Sequence, residues 1–90
     1  EDRNFEIYTM EIQPGGSYKT GAHGENTCEY INVFQGKLIL QIEDEVNIIN
    51  SGDAIRFNTD KEHTYVNQGD EVLIFNTIFY NLPNESVLID

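Results

Sequence analysis

Basic residues are scarce in this chain. Five Lys and Arg stand against sixteen Asp and Glu, for a formal net charge of −11. Non-specific affinity for nucleic acid comes mainly from Lys and Arg neutralising phosphates, so these residues alone make a poor DNA or RNA binder. The same excess of acid opposes an anionic membrane surface. Cysteine is limited to Cys28, which rules out an internal disulfide and is compatible with a reducing, cytoplasmic setting. No apolar run approaches the roughly 18 residues that span a bilayer, and no basic-then-apolar leader opens the sequence. Helical spacing never persists for about ten residues without a breaker, so no helix is predicted. Internal repeats and low-complexity segments are absent too. The chain starts on Glu1 rather than Met and reads as a segment of a longer protein.

What is present is a period of two. Tyr8, Met10 and Ile12 alternate with Thr9 and Glu11, and Pro14-Gly15-Gly16 ends that run. A second run covers Tyr30 to Phe34 and closes at Gln35-Gly36. Leu38, Leu40 and Ile42 share one face of the next, and the tip Glu43-Asp44-Glu45 leads back through Val46 to Ile49 as a hairpin. Shorter strands follow at Ile55 to Phe57 and His63 to Val66. The longest run is Val72 to Tyr80, broken at Asn81-Leu82-Pro83-Asn84, with Val87 to Ile89 as a further edge strand. Ninety residues of this kind make one small all-β domain, an antiparallel sandwich or barrel with its core over about 5–80 and a tail over 81–90.

One carboxylate stands out. Alternation places Glu29 on the same face as Ile31 and Val33. A buried, unpaired carboxylate would cost several kcal/mol or take up a proton, so Glu29 calls for a partner. His23 and His63, the chain's two histidines, are natural ones. The expectation is a mixed His and carboxylate cluster inside a small β-barrel.

The two segments that carry these residues resemble the paired motifs of the cupin superfamily. Its first motif runs glycine, two histidines one residue apart, glutamate, glycine. His23, Glu29 and Gly36 stand at the first histidine, the glutamate and the closing glycine. Glu25 replaces the second histidine, and Gly16 lies one residue further from His23 than usual. In the second motif Gly52, His63 and Asn67 match in identity and spacing, whereas Asn58 and Asp60 replace a proline and a glycine. The resemblance spans Phe5 to about Tyr80. It implies an antiparallel cupin barrel (a double-stranded β-helix, or jelly roll) with a ligand or metal site formed by His23, Glu25, Glu29 and His63.

Each of these residues has a plainer alternative. His63 could be a structural histidine bonded to a backbone carbonyl at a strand start, His23 an exposed loop residue, and Glu25 one more solvated acid. Asn67 reads as a tie between its turn and a neighbouring strand. Cys28 neighbours Glu29, faces the other way and reads as a small buried filler. Tyr30, Phe34, Tyr65, Phe75 and Phe79 are core or interface aromatics, and any that face inward would line an apolar pocket. If a metal binds, two histidines with carboxylates suit a divalent ion such as zinc, iron, manganese or nickel rather than copper.

Within the superfamily the resemblance is narrower. Phe5 through Gly15, Glu29 through Gly36, Gly52 through Phe57 and His63 through Asn67 are similar to the cupin half of bacterial transcription regulators with an N-terminal helix-turn-helix of the Xre type. That implies a cytoplasmic, dimeric, non-enzymatic domain that binds a small effector near His23, Glu29 and His63. DNA would be a partner only through a helix-turn-helix outside these residues. The alternatives are a stand-alone metal-dependent cupin enzyme, a dioxygenase or isomerase, and a dimerisation module with a degenerate pocket.

Overall fold

The computed structural model describes residues 5–22, 24 and 26–81. These residues form eight strands and no helix: β1 Phe5–Ile12, β2 Ser17–Thr20, β3 Thr27–Gln35, β4 Lys37–Ile42, β5 Glu45–Asn50, β6 Ala54–Asn58, β7 His63–Val66 and β8 Leu73–Asn81. All pairing is antiparallel, in two four-stranded sheets ordered β1-β8-β3-β6 and β2-β7-β4-β5. The expected all-β barrel is therefore observed. No helix among the described residues is long and apolar enough to cross a membrane.

The period-two pattern supplies the inner faces. Ile31 and Val33 of β3 meet Leu73 and Phe75 of β8, Leu38 and Leu40 of β4, and Tyr65 of β7 in one buried core. On β3 the alternation holds through Glu29, Ile31 and Val33, all buried, as the sequence predicts. Cys28 is also buried and donates from Sγ to Asn58 Oδ1 at 3.3 Å, in keeping with a filler role. Phe34 is exposed, because the register of β3 against β8 shifts between Val33 and Gln35.

That bulge leads into Gly36, where the chain leaves one sheet for the other. Gly36 has φ +88, and a Cβ there would lie 3.2 Å from Leu73 Cα. Both the left-handed backbone and the close approach call for glycine. Asn67 ties the two ends of the barrel's long connections together. Its Nδ2 donates to the carbonyls of Ile12 and Glu71, each at 2.9 Å, and its Oδ1 accepts from the Gly69 amide at 2.9 Å. The expected structural role of Asn67 is thus realised.

Strand β2 is absent from the sequence reading. Its residues Ser17-Tyr18-Lys19-Thr20 are short, polar and largely exposed on a sheet edge, so no apolar alternation announces them. It forms because it pairs with β7, Ser17 against Val66 through Thr20 against His63. Val87 to Ile89, the expected edge strand, lies outside the described residues.

Candidate functional site

Strands β3, β7 and β8 converge on one carboxylate. Glu29 is fully buried, and three side chains point at it. His63 Nε2 lies 3.1 Å from Oε1, the Tyr65 hydroxyl donates to Oε2 at 2.7 Å, and the Thr77 hydroxyl donates to the same oxygen. Tyr65 and His63 share the inward face of β7, two residues apart. Thr77 continues the inward face of β8 after Leu73 and Phe75.

The imidazole is fixed on all sides. Its Nδ1 faces the Lys61 carbonyl at 3.1 Å, and a carbonyl only accepts, so Nδ1 carries a proton. The ring meets Phe57 edge-on at 5.1 Å and Tyr65 at 5.4 Å. With Nδ1 protonated, a bare Nε2 lone pair against a bare carboxylate would be repulsive. A proton shared between Nε2 and Oε1 makes the contact a hydrogen bond, and a bound metal ion would relieve the repulsion as well.

Tyr65 is the fixed donor of the cluster. Burial above all, then the adjacent Glu29 carboxylate, push its phenol well above the ordinary tyrosine range. It therefore stays protonated at any physiological pH and keeps its bond to Oε2. Cys28 lies on the opposite face of β3 from this cluster.

The donor set fits a divalent ion in part. Ligand atoms each about 2.0–2.2 Å from one ion lie about 3.3–3.6 Å apart in a tetrahedral site and about 2.8–3.1 Å apart in an octahedral one, and the 3.1 Å between Nε2 and Oε1 matches the latter. The Lys61 carbonyl on Nδ1 is the outer-shell partner that ligating histidines commonly have. Among the described residues no three His, Cys, Asp or Glu converge, so Glu29 and His63 would supply two ligands at most. His23 and Glu25, the other expected site residues, lie outside the described residues.

Above the cluster a cavity of about 700 Å³ opens between β1 and β8 of one sheet and β2 and β7 of the other. Tyr65 and Thr77 line it, so they stand between the cavity and the Glu29–His63 pair. Neither was singled out as a site residue from the sequence, where Tyr65 reads as a core aromatic. The available signal is alternation. Thr77 interrupts an otherwise apolar inward face, and Tyr65 shares its face with a motif histidine.

A family model described as Cupin domain matches residues 8–79. The chain belongs to the cupin family. It is 26% identical over 76 residues to the HTH-type transcriptional regulator SutR of Escherichia coli, covering 84% of this chain and 43% of that protein's length. The cupin domain of an XRE family transcriptional regulator from Enterobacter cloacae superposes with a TM-score of 0.83 at 23% identity, over 90% of this chain and 84% of that one. A predicted oxalate decarboxylase from Thermotoga maritima also superposes, with a TM-score of 0.72 at 21% identity, over 84% of this chain and 65% of that one. Both superpositions bear on fold. The sequence match relates this chain to an HTH-type transcriptional regulator, and the chain spans less than half of that regulator's length.

Proposed function

We propose that this cupin is the effector-sensing domain of a cytoplasmic transcriptional regulator, and that a small molecule occupying the 700 Å³ cavity is its signal. The observation that carries this reading is the placement of Tyr65 and Thr77. Each lines the cavity, and each also bonds to buried Glu29. An occupant that competes for either hydroxyl changes the bonding of the Glu29–His63 pair, which joins the two sheets. The relation to SutR supports the regulatory context.

In this reading the parent protein is a dimer with a helix-turn-helix upstream of Glu1. The effector shifts the dimer's geometry and so the spacing of two DNA-reading heads, which must match half-sites about one helical turn apart. It acts only insofar as it binds one arrangement better than the other. The outer face of β1 and β8, where Ile7 pairs with Ile78, supplies an apolar dimer surface. A divalent metal belongs to the same proposal. Glu29 and His63 would hold it, His23 and Glu25 would complete the set, and the ion would act as a Lewis acid for an oxygen of the effector.

The test is the coding sequence upstream of Glu1 together with binding assays on the full-length product. A helix-turn-helix there, and a DNA affinity that changes when a metabolite fills the cavity, are the expected results. A frame that begins within a few residues of Glu1 contradicts the regulator. Metal content is tested by elemental analysis after loading with zinc, iron, manganese or nickel. A bound ion lost in His63→Ala is expected, and equal content in both proteins removes the metal.

A further inference from the structure

The aromatic residues that line the cavity include Tyr8, Tyr18, Tyr65 and Phe79. They form two facing walls. On one, Tyr8 and Phe79 meet edge to face, with centroids 6.1 Å apart at 70°. On the other, Tyr18 and Tyr65 lie parallel, 6.2 Å apart at 4°. Aromatic faces carry negative charge density, and facing walls of them favour a cation between.

The second observation is an acid in the wrong place for packing. Glu6 lies on the same face of β1 as Tyr8, Met10 and buried Ile12, opposite Phe79 of β8. A strand built only to cover a core would carry an apolar residue there. Glu6 lines the cavity and accepts a hydrogen bond from the Tyr8 hydroxyl at 2.9 Å. That bond holds the Tyr8 phenol above its ordinary range, so the tyrosine keeps its proton and remains the donor. Among the described lining residues there is no Lys, Arg or His. An anion among the described lining residues would meet aromatic side chains and a carboxylate with no counter-charge, in a chain of net charge −11.

We infer, building on the sensing role proposed above, that the cavity takes an organic ammonium cation, held over the aromatic faces with Glu6 as its counter-ion. Size is no obstacle, since 700 Å³ accommodates a molecule well beyond a single ring. The acidic surface adds a long-range attraction that concentrates cations at the mouth.

The test is calorimetric titration of the 90-residue chain with benzylamine, benzyl alcohol and benzoate, which share a ring and differ in charge. Benzylamine is expected to bind about tenfold more tightly than benzyl alcohol, the scale of a cation over partly exposed aromatic faces, with benzoate weakest. Glu6→Gln, at an exposed position, should keep the unfolding midpoint and bring the amine-to-alcohol ratio towards one. Tyr18→Leu should weaken the amine more than the alcohol. Benzyl alcohol or benzoate binding as tightly as the amine overturns the cation preference but leaves an occupied sensor cavity. No amine binding at millimolar concentration, or an unchanged ratio in Glu6→Gln, overturns it outright. An amine that fills the cavity yet leaves the full-length protein's DNA affinity unchanged supports the cation site and removes the sensing role, so the two failures are distinct.

Discussion

His63 is held through both ring nitrogens, and this determines what a substitution there removes. His63→Leu leaves Glu29 buried with hydroxyl donors but without its imidazole partner. The expected loss is about 3–5 kcal/mol, a large part of the stability of a small domain. Replacing both residues, as Glu29→Leu with His63→Leu, removes the orphaned carboxyl group and should recover much of that loss. Urea denaturation of the wild type, the two single variants and the double variant measures the coupling. If the double variant is no more stable than His63→Leu, the pair is not the unit described here. Tyr65 adds a pH signature. Its phenol is raised in the folded protein, so above the unfolded value of about 10 the unfolded chain has lost a proton that the folded one retains. Stability from this group is therefore complete below about pH 10 and is lost as pH rises beyond it. The alkaline decline in unfolding free energy should be shallower in Tyr65→Phe, and parallel curves for the two proteins would remove Tyr65 as its source. At neutral pH the same variant should be less stable by about 1.5–3 kcal/mol, the worth of a hydrogen bond to a charged acceptor.

At the scale of elements, the turns set the register that brings β3, β7 and β8 together. Gly36 and Gly52 both have φ near +90, yet their surroundings differ. A Cβ at Gly52 meets nothing within 4 Å, so Gly52→Ala should cost about 1–2 kcal/mol for the left-handed backbone alone. Gly36→Ala adds the approach to Leu73 Cα and should cost clearly more. Thermal unfolding of the two variants ranks them, and equal midpoints would show that the corner at Gly36 can yield. Asn67→Asp is a sharper probe of the clamp, since it keeps the shape but cannot donate to the carbonyls of Ile12 and Glu71. A loss of about 2–4 kcal/mol is expected from two broken bonds and two opposed acceptors. Much of this architecture was legible in the chain. Alternation located Glu29, Ile31 and Val33 on one face, and the paired motifs marked Gly36 as a turn glycine and Asn67 as a tie, the roles they have. Strand β2 was not legible, because Ser17-Tyr18-Lys19-Thr20 gains its structure from β7 and not from its own pattern. The hydroxyl donors were missed for a related reason. Thr77 and Glu29 are 48 residues apart, and their contact exists only once β8 lies beside β3.

Across the whole molecule, the charge and the cavity point in one direction. A chain of net charge −11 has little means of holding DNA itself, so in the proposed role any control over transcription passes through residues other than these ninety. The barrel suits the receiving end of that control. Its cavity lies over a buried polar cluster shared by both sheets, and Tyr65 and Thr77 belong to both features. Coupling between an effector and distant DNA-reading heads has a typical range of about 5–150-fold in affinity. The most direct measurement is the DNA affinity of the full-length protein titrated with small metabolites, beside a Thr20→Trp variant whose indole fills the cavity. A several-fold change in affinity with at least one compound, absent in Thr20→Trp, is the predicted result. A compound that saturates the cavity of the full-length protein and leaves its DNA affinity unchanged would contradict the sensing role.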